Sequence, residues 1–195
     1  MRPLTHASLP NLFDFMCSRY GMQVVQKASA PEMKLISTFL DAIGVLDKTA
    51  FMKQYATILG RRLYLNYKVG TTKVPAITQA MMAAHEPNHV LLMEAMGSLN
   101  YNIKYMADPS ERGLIEVDCY ECDLTVYWWW HKATHNGMGA LPDIDMAKIL
   151  KAYRCTGKKA GPALKKFEKA VKVIKKGGIA SPTALDVIDF YEMME

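Results

Sequence analysis

The chain has 195 residues, half of them hydrophobic, and it carries a formal net charge of +5. This length suffices for one buried core and is short for two, so we expect a single domain over residues 1–195. No apolar run approaches the roughly 20 residues that cross a bilayer, and the N-terminus lacks the apolar stretch of a signal peptide. The four cysteines are too sparse for a disulfide scaffold, so we expect a cytoplasmic protein.

The first part of the chain contains start and stop signals for three helices. A serine, an early proline and a following glycine predict a helix over residues 8–20. A capping box that begins at residue 29 predicts a second helix, which reaches about residue 42. An aspartate cap predicts a third helix over residues 47–55.

The segment RRLYLNYKV changes the pattern from helical to alternating. Its period of two indicates a half-buried strand over residues 62–69. Residues 57–59, which precede a Gly-Arg turn, predict its antiparallel hairpin partner. The inward-facing positions of the strand are Leu63, Leu65, Tyr67 and Val69.

Two long helices are predicted after the strand. Over residues 74–96, apolar residues recur at three- and four-residue steps, which is the period of an amphipathic helix. A second helix runs from Gly113 into the three tryptophans, with Cys119 and Cys122 on its apolar face. A polar stripe lies beside that face, and its members are Glu116, Tyr120, Asp123 and Tyr127.

The last part of the chain, about residues 144–195, is a basic helical region. Its predicted helices cover residues 144–153 and 162–176, and a final helix opens at residue 181. Most of the excess positive charge lies in this region, which is typical of a solvated amphipathic helix. All elements together predict an α+β fold that is predominantly α, with a short antiparallel hairpin or small sheet.

Residues 85–89, HEPNH, match the pattern HExxH inside the first long helix. Two histidines four residues apart share one helix face, so His85 and His89 can bind the same cation. Zinc suits nitrogen ligands and, in catalytic sites, keeps one position for water. Glu86 projects from the next position, where it can take a proton as water attacks a carbonyl. A third ligand is available at Glu116, where the polar stripe begins.

With the strand before this motif and the acidic helix after it, the chain resembles the zincin metallopeptidases whose third ligand is a glutamate. The similar core covers about residues 55–135. The resemblance implies zincin-like helices and a zinc ion held by three side chains, namely His85, His89 and Glu116. It implies Glu86 as general base, a peptide or protein substrate, and a strand ending near Val69 whose edge pairs with that substrate. The chain is also similar to small metallopeptidase-like proteins encoded by phages, which would act in the host cytoplasm.

Two of these assignments have competitors in the sequence. Glu111, Asp118 and Asp123 are also acidic, but Glu116 is favoured because its stripe supplies both a ligand and residues that orient the ligands. A polar group near the metal should stabilise the oxyanion of the reaction. The candidates for that group are Tyr127, His131 and His135, of which His131 is preferred.

Pro87 departs from the zincin pattern, in which the motif contains no proline. Its ring removes the amide that would bond to Ala83 and clashes with that carbonyl, at a cost of about 3 kcal/mol in a helix interior. The helix therefore either kinks at Pro87, which leaves the histidine pair usable, or begins at Glu86, which breaks the geometry. In a simpler interpretation, both histidines are core residues and Glu86 lies on the solvated face.

Two other patterns indicate different chemistry. The pairs Cys119-x2-Cys122 and His131-x3-His135 have the residue types of a structural zinc site, but eight residues separate them where classical fingers have about twelve. A single helix would also hold the two pairs apart, so we interpret the cysteines as core residues. The basic helices offer contacts for phosphates, although charge alone does not favour nucleic acid as a partner.

The sequence thus favours a zinc-dependent peptidase that uses metal-activated water and Glu86 as general base. The alternative is a catalytically inactive binding or assembly protein. In that case the basic C-terminal helix would make the contacts, with nucleic acid as the partner.

Overall fold

The computed structural model describes residues 3–42, 52, 56–178 and 181–193, so the predicted helix over residues 47–55 lies outside the described residues except for Met52. Within these ranges the protein is mainly helical with one small sheet, which confirms the predicted α+β class. The strands are β1 (Gln23–Gln26), β2 (Thr57–Leu59) and β3 (Arg62–Leu65). The helices are α1 (Leu9–Tyr20), α2 (Pro31–Ala42), α3 (Ala76–Met96), α4 (Ser98–Ala107), α5 (Pro109–Thr134), α6 (Met146–Ala152), α7 (Gly161–Lys175) and α8 (Pro182–Glu192).

α1 forms where the sequence places its start and stop signals. Pro10 occupies the first turn, where its missing amide costs no intrahelical hydrogen bond. Gly21 closes the helix in the left-handed region, with φ at 60°. The apolar face of α1 lies in the main core, and its buried residues are Leu9, Leu12, Phe13 and Met16.

β3 is the central strand of the sheet, with β1 parallel to it on one side and β2 antiparallel to it on the other. The β2–β3 hairpin is the predicted one, whereas β1 is an additional strand that its short QVVQ segment did not signal. β3 is also shorter than predicted, ending at Leu65 instead of Val69. Tyr64 was expected on the solvated face, but it is buried because Ala30 and Met33 cover that side of the sheet.

The central position of β3 corrects one expectation drawn from the zincin resemblance. Both sides of the strand are hydrogen-bonded within the sheet, to β1 over Gln23–Gln26 and to β2 over Thr57–Leu59. A paired strand has no backbone donors and acceptors left for an added strand. The prediction that a substrate pairs with the edge of this strand is therefore wrong for Arg62–Leu65.

α3 and α5 are the two long helices, and they pack against each other. α3 ends at Gly97, whose φ of 79° is unfavourable for other residues, and the unpredicted helix α4 follows at once. Asp108 caps α5, because its side chain accepts a hydrogen bond from the amide of Ser110 at 2.8 Å. α5 therefore begins at Pro109, about one turn before the predicted start at Gly113.

The basic C-terminal region packs onto the long helices. α7 lies against α5, and α8 lies against α1, α3 and α5. The apolar side of α7 faces inward, with Ile174 buried and Leu164 and Phe167 packed in a cluster with α5 and α6. Of the helices in the described ranges, none has the length and apolarity needed to span a membrane.

Candidate metal centre

The histidine pair lies within one continuous helix. α3 begins at Ala76, well before the motif, and runs through Pro87 to Met96. A helix start at Glu86, the arrangement that would have separated the histidines, is therefore wrong. The imidazole centroids of His85 and His89 are 5.2 Å apart, and each residue is 6% exposed.

Nδ1 of each imidazole forms a hydrogen bond with a polar side chain. His85 donates from Nδ1 to Asp123 Oδ2 at 3.0 Å, and His89 Nδ1 is hydrogen-bonded to the Tyr101 hydroxyl at 2.8 Å. Such contacts fix the orientation of an imidazole, and metal-binding histidines usually make them. Because the Nδ1 atoms are engaged, Nε2 is the nitrogen of each ring that faces the interior of the site.

Glu116 lies opposite both Nε2 atoms. Its Oε2 is 4.0 Å from His85 Nε2 and its Oε1 is 4.0 Å from His89 Nε2. Tyr105 donates a hydrogen bond to Oε1 at 2.5 Å, and the hydroxyl of Tyr153 is a second donor towards the carboxyl group. Oε2 is buried and makes no hydrogen bond of normal geometry among the described residues. Leaving a buried carboxylate oxygen unpaired is costly.

A cation between these three side chains would satisfy the unpaired oxygen. Ligand atoms about 2.0–2.2 Å from one tetrahedral zinc lie roughly 3.4 Å from each other, so separations of 4.0 Å need a small approach. The donor set of two imidazoles and one carboxylate is a common one for catalytic zinc. The residues at this site therefore have the chemistry to hold a metal ion.

The acidic competitors of Glu116 have other positions on α5. Glu111 accepts a hydrogen bond from Lys104 at 2.9 Å, and Asp118 is paired with Lys166 of α7. Asp123 contacts His85 at Nδ1, so it orients a ligand.

Cys119 is another competitor of Glu116, although the sequence predicts it as a core residue. Its ligand atom and those of the two histidines lie within 4.8 Å of one another.

Glu86 is buried beside the histidines, which contradicts the interpretation that placed it on the solvated face. It is 4% exposed, and burial raises the pKa of its carboxyl group to about 7. Lys27 is fully buried nearby and donates from Nζ to Thr57 Oγ1 at 2.7 Å. Burial lowers the pKa of Lys27 to about 8, and the charge of Glu86 partly offsets this decrease.

The two histidines differ in their protonation. Burial lowers the pKa of His85, but the charges of Asp123, Glu86 and Glu116 raise it to about 9 overall. For His89, burial and the neighbouring His85 hold the pKa well below its ordinary value. In the absence of a cation, a proton therefore resides on His85, and a cation that binds Nε2 must displace it.

The hydroxyl of Tyr67 is a further polar group near Glu86 and Asp123. Its hydroxyl oxygen is buried and has no hydrogen-bond partner among the described residues. Burial raises the pKa of Tyr67, and the charges of Glu86 and Asp123 raise it further, so the hydroxyl remains a donor. The sequence contained a signal for this position, because Tyr67 continues the inward-facing alternation of Leu63 and Leu65 towards the HExxH helix.

The structure does not bring Tyr127 and His131 to the histidine pair. Tyr127 contacts the rings of Trp130 and His131, and His131 lies eight residues, or about 12 Å, beyond Asp123 on α5. His131 instead donates from Nδ1 to the carbonyl of Met138 at 2.8 Å. The oxyanion role predicted for these two residues, and for His135 beyond them, stays a prediction that these contacts do not support.

The alternative zinc finger also fails on the geometry of α5. Cys119, Cys122 and His131 belong to one continuous helix, which His135 caps, so at least nine residues, or about 13 Å, separate the cysteines from the histidines. Cys122 contacts the last helix instead, donating from Sγ to Ser181 Oγ at 3.0 Å. These cysteines cannot share an ion with that histidine pair.

Comparison of the chain with models of known protein families, with curated proteins and with solved structures finds no match. The chemistry of the centre therefore has to be argued from its own side chains. The strongest of these arguments is that the Glu116 carboxylate faces both imidazoles, with Oε1 4.0 Å from His89 Nε2 and the unpaired Oε2 4.0 Å from His85 Nε2.

Proposed function

We propose that this protein is a zinc-dependent peptidase in which His85, His89 and Glu116 hold the metal. The observation that carries the proposal is the buried Oε2 of Glu116, which has no partner among the described residues and lies 4.0 Å from His85 Nε2. Buried carboxylate oxygens are usually paired, because leaving one unpaired is unfavourable, so a cation at this position would stabilise the site. When bound, zinc polarises a carbonyl group and makes water a better nucleophile.

Glu86 is the general base of the proposed reaction. It follows His85 directly on α3 and is buried, so its carboxylate is held next to the metal ligands without needing to be one. It accepts a proton from the attacking water and delivers that proton to the nitrogen of the leaving amine. Lys27, whose ammonium charge acts on Glu86, stabilises the carboxylate form.

Tyr67 is the proposed donor to the oxygen of the scissile carbonyl. Its buried hydroxyl has no acceptor among the described residues, so it is available for a group that enters the site. A donor aimed at an oxygen that gains negative charge lowers the barrier more in a buried site than in water. This assignment is preferred to Tyr127 and His131, whose rings contact Trp130 and each other.

A peptide is the favoured substrate because the amide is the bond that needs all of these groups. Its carbonyl is weakly electrophilic, so it needs a Lewis acid. Its amine is a poor leaving group, so it needs a carboxylate that delivers a proton. HExxH followed by a glutamate on a later helix is the arrangement that supplies both.

The decisive experiment compares Glu86→Gln with the wild type. We expect the variant to keep its zinc, because glutamine leaves the three ligands in place, and to lose about 10²- to 10⁴-fold in peptide cleavage. The matched control is Glu94→Gln on the same helix, since Glu94 is exposed and pairs with Arg61. Cleavage of a mixed peptide pool, followed by mass spectrometry, and elemental analysis of zinc give the two measurements.

A second candidate function is favoured by the charge of the C-terminal region. Residues 144–178 contain eleven lysines and arginines and two acidic residues, a net charge of +9. Such a surface suits phosphates, and its binding would weaken steeply with salt. Metal binding without Glu86-dependent cleavage, together with salt-sensitive retention on DNA or RNA, would replace the peptidase proposal with this one.

A further inference from the structure

Cys119 faces the same two imidazoles as Glu116. It follows Glu116 by three residues on α5, which places the two side chains one turn apart on one side of the helix. Cys119 is fully buried, and its ligand atom and those of His85 and His89 lie within 4.8 Å of one another. The amide of Asn88, between the two histidines on α3, is directed at Cys119 Sγ from 3.7 Å.

We propose that the Cys119 thiolate is an additional ligand of the same cation. The proposal rests on the metal centre of the proposed function and adds the identity of the metal to it. Two donors of α3, His85 and His89, would then face two donors of α5, Glu116 and Cys119. The water of the proposed reaction would be a fifth donor, a coordination number that catalytic zinc can reach. Binding forms a metal–sulfur bond, and the proton of the thiol is released to solvent.

The chemical consequence is selectivity among metal ions. Imidazole and carboxylate ligands suit manganese, iron and zinc alike, whereas thiolate favours the softer ions such as zinc, cobalt and cadmium. Burial disfavours the anionic sulfur in the absence of a cation, and the amide of Asn88 partly offsets this because it presents a donor to Sγ. A centre that includes Cys119 is therefore a zinc centre in preference to a manganese or magnesium centre.

Cys122 provides an internal comparison one turn further along α5. It is equally buried, but its sulfur donates to Ser181 Oγ at 3.0 Å and accepts from Thr183 Oγ1 at 3.3 Å. These contacts hold Cys122 against the last helix, where it does not belong to the histidine group. Replacing Cys122 therefore changes a buried thiol without changing the proposed ligand set.

The test uses cobalt as a spectroscopic probe in the full-length protein. The metal-free protein is loaded with Co²⁺, and a thiolate ligand then produces a charge-transfer absorption in the near ultraviolet. We expect this absorption in the wild type and in Cys122→Ser, and its loss in Cys119→Ser at equal cobalt content. Competition between zinc and manganese should show that Cys119→Ser lowers the preference for zinc about tenfold or more.

The possible results separate this inference from the proposed function. Cobalt uptake without the absorption in the wild type, or an absorption that persists in Cys119→Ser, overturns the role of Cys119 and leaves the metal centre standing. A wild-type protein that takes up neither cobalt nor zinc overturns both. If Cys119→Ser does not fold, X-ray absorption of the wild-type zinc protein decides, because a sulfur ligand at about 2.3 Å is either present or absent.

Discussion

The chain contains two histidine pairs with the same spacing, and they have opposite surroundings. His85 and His89 are buried in the middle of α3, with ring centroids 5.2 Å apart and ring planes at 62°. His131 and His135 lie at the C-terminal end of α5, where their rings stack in parallel at 3.8 Å. Spacing alone therefore predicts that two imidazoles share a helix face, and nothing about what they bind.

The partners of the rings account for the difference. In the first pair, Asp123 and Tyr101 hold the Nδ1 atoms, and the carboxylate of Glu116 faces the Nε2 atoms. In the second pair, Nδ1 of each ring is directed at a backbone carbonyl. Within the described residues, no third metal-binding side chain joins the second pair. A metal site needs both an opposing ligand and groups that orient the imidazoles.

Matched alanine variants of the two pairs test this comparison with the largest expected effect. His89→Ala should reduce the zinc content from about one ion per chain to almost none, because the variant loses one of the two imidazoles that hold the ion against a chelator. His135→Ala should retain the wild-type content. Equal losses in both variants, measured by elemental analysis after dialysis, would contradict the assignment of the site to α3.

Two aspartates of α5 test the importance of the orienting groups. Asp123→Asn removes the charged acceptor of His85 Nδ1–H, and such changes lower metal affinity by roughly 10- to 100-fold. Asp118→Asn is the control, since Asp118 pairs with Lys166 on the side of α5 that faces α7. Zinc affinity from competition with a coloured chelator measures both. An unchanged affinity for Asp123→Asn would mean that the Asp123 contact does not support the site.

The fold was largely predictable because its signals are local. α1, α3 and α7 begin and end close to residues that cap or break helices, such as Pro10, Gly21 and Gly97. β1 and the parallel pairing of β1 with β3 were not predictable in the same way. The QVVQ segment is four residues long and does not alternate, so its strand depends on the register with Arg62–Leu65.

The part of the site that follows from helix periodicity was predictable. Glu116 and Asp123 are seven residues apart, so their shared face of α5 follows from the sequence once α5 is predicted. Tyr101 and Cys119 could not be assigned, because their contacts depend on the unpredicted helix α4 and on how α3 packs on α5. For His131 the predicted stripe gave a direction around the helix and neglected the distance along it, which is eight residues, or about 12 Å, from Asp123.

A last comparison concerns the cationic side chains beside the two pairs. Lys27 is buried near Glu86, and burial lowers its pKa from 10.5 to about 8. Lys132 is exposed beside the second pair, where its Nζ lies 4.9 Å from the centroid of the Trp128 ring. Charging Lys27 opposes folding, whereas Lys132 carries no such cost, because it keeps its hydration.

The sign of the pH dependence follows from the lowered pKa of Lys27. Between pH 8 and 10.5 the unfolded chain holds the Lys27 proton and the folded protein does not, so this residue makes stability rise with pH. Below pH 8 its cost is fully present, at about 3 kcal/mol. Lys27→Met should therefore stabilise the protein at pH 7, with a gain about 2 kcal/mol smaller at pH 9.5. Urea denaturation at both pH values measures the free energy of unfolding of each variant. The control Lys132→Met should change stability little at either pH. A pH-independent difference for Lys27→Met would show that Lys27 is not a buried charge in solution.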